Sequence, residues 1–94
     1  MLIPIWFSDM IIEDNGSDNE KYVLIEEMAE LMKEITKDLR EKGDRQHIIE
    51  ELADCYICME NCKTLYGITD RDVQTVIEDK VNRYLKRKKE GDTK

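Results

Sequence analysis

A chain of 94 residues, 40% of them hydrophobic and 39% charged, has room for one domain and only a thin private core. Its formal charge of −7 excludes a general nucleic-acid binder, because affinity for a phosphate backbone is built from cations that neutralise phosphates. An acidic protein can still take a nucleotide when a divalent cation stands between them, and the thin core points to an obligate dimer or a higher even-numbered oligomer.

Residues 1–22 read as an N-terminal arm and loop. The apolar run from Met1 to Met10 is too short to span a bilayer and lacks the flanks of a signal peptide. After Ile11-Ile12 comes the turn-forming Glu13-Asp14-Asn15-Gly16-Ser17-Asp18-Asn19. The arm is expected to pack across an oligomer interface, with Trp6 and Tyr22 as anchors or, alternatively, as stacking surfaces for a base.

Residues 23–94 read as a helical domain. Leu24, Met28, Leu31, Ile35 and Leu39 recur at helical spacing, which predicts a first long helix from about Glu20 to Arg40. Gly43 is its expected stop, and Asp44 the cap of the next helix. That second helix carries the stripe Ile48, Leu52, Cys55, Met59 and Cys62 and ends at Gly67. Thr69-Asp70-Arg71-Asp72 forms a capping box with Asp in place of Glu. A third helix then places Val73, Ile77, Val81 and Tyr84 on one side and runs into the basic end Lys86 to Lys89, as suits the helix dipole. The fold class is all-α: an antiparallel bundle of three main helices plus the arm, completed by oligomerisation.

Glu27 and Glu30 lie three residues apart and project from one face, and Glu51 and Asp54 repeat that spacing on the second helix. If the helices pack antiparallel, the two pairs converge. Four such carboxylates repel one another unless a hard cation sits among them. All-oxygen ligation points to Mg2+, with Mn2+ as a possible substitute. A cation held this way orients a triphosphate, offsets transition-state charge and acidifies a water.

The strings Glu27-Met28-Ala29-Glu30 and Glu51-Leu52-Ala53-Asp54, with twenty residues between them, resemble the signature of the MazG-like nucleotide pyrophosphohydrolases. These belong to the all-α NTP pyrophosphatases. The resemblance runs from about Val23 to Glu90. It implies that Glu27, Glu30, Glu51 and Asp54 are metal ligands, and that Lys80, Arg83 and, less directly, Asn82 contact phosphates. It also implies hydrolysis of a nucleoside triphosphate to monophosphate and pyrophosphate, in a homodimer or homotetramer that clears unwanted nucleotides. Glu26 or Glu34 would orient the attacking water. The helix that precedes the first motif helix in that family is replaced here by the arm, so the resemblance implies nothing about the base.

Cys55, Cys58 and Cys62 have no second cysteine cluster to complete a tetrahedral site and read as core packing. Their odd number argues against a disulfide framework and for a reducing, cytoplasmic setting. His47, the one histidine, reads as a helix-start residue. Two other functions fit the pattern: a non-catalytic helical interaction module, and a nucleotide-binding regulator that keeps the site without turnover.

Overall fold

A computed structural model describes residues 3–91, apart from the side chain of Ile5. Four helices follow one another: α1 (Ile5–Asn15), α2 (Ser17–Leu39), α3 (Arg45–Tyr66) and α4 (Asp70–Lys89). No strand occurs among the described residues, and no helix is long and apolar enough to cross a membrane.

The expected arm is itself largely a helix, and the expected loop shrinks to one residue. Gly16, with φ 87°, is the single break between α1 and α2. Its N–H donates to the carbonyl of Ile12 and its own carbonyl accepts from Glu20 N–H, so each helix end is satisfied across the break. The side chain of Asn19 donates to the carbonyl of Asn15 and ties the joint again. Of the turn formers here, Asn19 bonds a helix-end carbonyl and Asn15 reaches Glu20, and all but Gly16 lie within the helices.

The other boundaries follow local chemistry. Asp44 Oδ1 accepts from the N–H groups of Gln46 and His47 and opens α3. Gly67 closes it in the left-handed conformation, φ 63°. Thr69 and Asp72 exchange both bonds of the capping box at the start of α4. Gly43 plays a different part from the one expected. The left-handed residue after α2 is Glu41, with φ 61°, while a Cβ at Gly43 would lie 2.8 Å from the Asp38 Cα. Glycine is needed there for close approach, not for dihedral freedom.

α2 and α3 form an antiparallel pair, and α1 lies against both. The backbone of α4 comes close to none of them. The three main helices therefore do not close into a bundle within one chain. The radius of gyration is 16.7 Å, against about 12 Å for a compact domain of this length. Among the described residues, only Cys55 and Cys58 are buried hydrophobic side chains, while Ser8, Glu20, Glu34 and Asn61 are buried polar ones. The apolar stripes read from the sequence largely face outward: Met28, Ile35, Leu39, Leu52, Met59 and the whole α4 stripe are exposed.

Candidate functional site

The seam between α2 and α3 is a polar ladder. Glu20, Glu27 and Glu34 recur every seven residues on α2, and His47, Asp54 and Asn61 do so on α3. Seven residues are close to two helical turns, so each set lines one face. Antiparallel pairing then sets Glu20 against Asn61, Glu27 against Asp54, and Glu34 against His47.

The two outer rungs set their acids against an amide or a nitrogen base, although Glu34 Oε1 and Asn61 Oδ1 are buried and accept no hydrogen bond from any described group. Glu20 is buried, but its Oε1 accepts from Asn61 Nδ2 at 3.0 Å and its Oε2 from Asn15 Nδ2 at 3.0 Å. Glu34 is also buried; Oε2 accepts from Lys37 Nζ at 3.2 Å, and Oε1 lies 3.7 Å from His47 Nδ1. The amides and cations on these rungs offset the cost of a desolvated carboxylate.

The middle rung sets acid against acid. One carboxylate oxygen each from Glu27, Glu51 and Asp54 lies within 4.8 Å of the other two. Glu27 and Asp54 face each other across the seam as carboxylates, with Glu51 beside them. The Glu27 carboxyl is held above its ordinary range, first by burial, then by the charges of Asp54 and Glu51, and last by the charge of Glu30. Oε2 of Glu51 is buried and accepts no hydrogen bond from any described group.

Two thiols back this rung. Cys55 Sγ donates to the carbonyl of Glu27 at 3.4 Å. Burial, followed by the charges of Glu27, Glu51 and Asp54, pushes its thiol up. Burial also pushes the Cys58 thiol up to about 11, with help from Glu27, Glu20, Cys55 and Asp54. Both stay protonated at neutral pH and pack as small hydrophobes, as the sequence suggests.

The donor set fits a small hard cation. Three carboxylate oxygens converge, and Glu51 keeps a buried oxygen without a donor. In an octahedral Mg2+ shell adjacent oxygens lie about 3 Å apart and opposite ones about 4.2 Å, so the three side chains would draw inward from their 4.8 Å group to share one ion.

Of the residues expected at the site, Glu27, Glu51 and Asp54 come together. Glu30 is exposed on the rim, outside the close group, and acts on Glu27 through its charge. Lys80, Asn82 and Arg83 are exposed on α4, and neither cation forms an ion pair among the described residues. Nothing within one chain carries them to the acids. Glu26 is exposed and Glu34 is committed to Lys37 and His47.

Sequence reading passed over Glu20, Asn15 and Asn61. The heptad recurrence of polar residues on two neighbouring helices was the available signal. Compared with known proteins, the chain matches no family model, and no curated protein or solved structure is significantly similar to it.

Proposed function

We propose that this protein is a cytoplasmic, Mg2+-dependent nucleoside triphosphate pyrophosphohydrolase of the MazG-like type that works as a homo-oligomer. The observation that carries the reading is the middle rung. On one ladder with three buried or half-buried acids, only Glu27 faces other carboxylates instead of an amide or a cation.

Glu27, Glu51 and Asp54 hold the cation, with Glu30 joining from the rim. When bound, the cation offsets phosphate charge and orients the triphosphate for displacement at phosphorus. Lys80 and Arg83 take phosphate oxygens as charge-assisted donors, and Asn82 can add a neutral donor. With Glu34 committed to Lys37 and His47, Glu26 is the exposed carboxylate left to accept a proton from the attacking water. The water oxygen bonds to the α-phosphorus, the bond from that phosphorus to the bridging oxygen breaks, and pyrophosphate leaves.

The test is product analysis of a panel of nucleoside and deoxynucleoside triphosphates with Mg2+. Pyrophosphate is expected from the parent and a loss of at least about a hundredfold in Glu51→Gln. Orthophosphate as the sole product would exclude this cleavage.

A second reading is favoured by one observation, the exposed apolar faces: a non-catalytic module for partner helices carries the same surfaces. It predicts a melting temperature indifferent to Mg2+. The metal reading predicts a stabilisation of about 2.7 kcal/mol at a hundredfold excess over Kd.

A further inference from the structure

Four asparagines occur in the chain, and Asn15 alone is followed by glycine. An asparagine amide carbon is open to attack by the backbone nitrogen of the next residue, because the ring that forms is small and unstrained. Most side chains crowd that nitrogen. Glycine does not, and a Cβ built at Gly16 would meet nothing within 4 Å. Both residues are exposed at the single-residue joint between α1 and α2, so water reaches the pair.

The fold holds this chemistry in check. Gly16 N–H donates to the Ile12 carbonyl at 2.8 Å, so the attacking nitrogen is tied into the end of α1. Asn15 Nδ2 donates to Oε2 of the buried Glu20 at 3.0 Å, and Asn19 Nδ2 donates to the Asn15 carbonyl at 2.8 Å. Glu20 in turn is joined to α3 through Asn61. The bonds that restrain the amide are the ones that dock the end of α1, so attack requires the joint to open first.

We propose that Asn15 is a modification site: its side-chain amide is lost by cyclisation onto the Gly16 nitrogen, and the product releases α1 from the α2–α3 pair. The Gly16 nitrogen bonds to Asn15 Cγ, the Cγ–Nδ2 bond breaks, and the Gly16 proton passes through solvent to the departing nitrogen, which leaves as ammonia. Water then opens the imide at either carbonyl, giving aspartate or isoaspartate. Aspartate sets a carboxylate against buried Glu20 where a donor stood. Isoaspartate adds a carbon to the backbone, and a joint of one residue has no slack to absorb it. Release of α1 also pulls Ile3 from the apolar pocket that it shares with Leu52, Ala53, Tyr56 and Ile57 of α3. None of this depends on what the acid centre binds.

The test is incubation of the full chain at mildly alkaline pH, which favours the deprotonated Gly16 nitrogen, followed by peptide mass mapping that separates aspartate from isoaspartate. Conversion is expected at Asn15 before Asn19, Asn61 or Asn82, and at least about tenfold faster when the full chain is unfolded in urea. Glu20→Ala removes the acceptor and should speed conversion in the folded protein at least about tenfold. The milder Glu20→Gln keeps the volume and should fall between it and the parent. Asn15→Asp, a stand-in for the product, should raise hydrogen exchange of the α1 amides at least about tenfold while the centre of α3 stays protected. Asn15→Gln, whose longer arm closes a ring far more slowly, should keep its mass through the same incubation.

Conversion as fast in the folded chain as in urea, or equal rates in the parent and both Glu20 variants, overturns the gate. An intact Asn15 in the unfolded chain, or unchanged α1 exchange in Asn15→Asp, overturns the proposal as a whole.

Discussion

Glu27 shows how one side chain can be unfavourable to fold and useful to bind. Its carboxyl is held above the ordinary range, so the folded state takes up a proton more readily than the unfolded one. For such a group, stability is fully present below the unfolded pKa and is lost as pH rises through the folded pKa. Metal-free protein should therefore gain stability on acidification across that window. Glu27→Gln removes the charge and should flatten this dependence, raising the melting temperature in EDTA at pH 7 by a few degrees, since about 1 kcal/mol moves a domain of this size by 4–8 °C. The same variant should lose the stabilisation by Mg2+. Thermal melts with and without Mg2+ from pH 4 to 8 check both halves, and an unchanged Mg2+ response in the variant would remove Glu27 from the ligand set. The neighbouring rung offers a control. Asn61→Asp would set a second carboxylate against the buried Glu20 and should cost about 3 kcal/mol at neutral pH. Denaturant unfolding reads that loss, and a neutral result would show that the rung is open to water.

At the scale of the elements, each helix draws its ends from local chemistry, while only three of them draw on packing. α4 has its capping box, a basic last turn and no close helix neighbour in its own chain. The Asp72 carboxyl sits below its usual range because the backbone and hydroxyl of Thr69 donate to it, so the cap strengthens above the unfolded pKa and fails as pH falls through the folded one. A single unpacked helix of 20 residues is marginal in water. Hydrogen exchange should therefore find the amides of α4 the least protected of the four helices at low protein concentration, with protection rising as concentration increases. Protection independent of concentration would mean that α4 is stabilised within one chain.

The helix ends were legible for the same local reasons: Asp44, Gly67 and the Thr69 box each act through neighbours a few residues away. The acid pairs were legible too, because three-residue spacing fixes a shared face. The start of α1 and the single-residue joint at Gly16 were not. Asn, Asp and Ser serve loops and helix caps alike, and only the hydrogen bonds around Gly16 decide between them. The rung between Glu20 and Asn61 joins residues 41 positions apart and depends on how α2 and α3 align, which composition cannot fix. Glu30 was grouped with Glu27 by spacing, yet it is exposed on the rim while Glu51, at the same three-residue step from Asp54, joins the close group.

For the whole molecule, the repeat that builds the ladder also leaves it open to misalignment. Sliding α3 by one heptad would set Glu27 against Asn61 and Glu34 against Asp54, moving the acid rung along the seam and leaving Glu20 without its amide. What opposes this is the brevity of the connection from Arg40 to Asp44 and the tight approach at Gly43. The slipped alignment still sets acid against acid, but it takes the Asn61 amide from buried Glu20 and His47 from buried Glu34, so the outer rungs favour the native register. The outer rungs would then act as selectors of helix register, and lengthening that connection would leave the choice between the two alignments to Asn61 and His47.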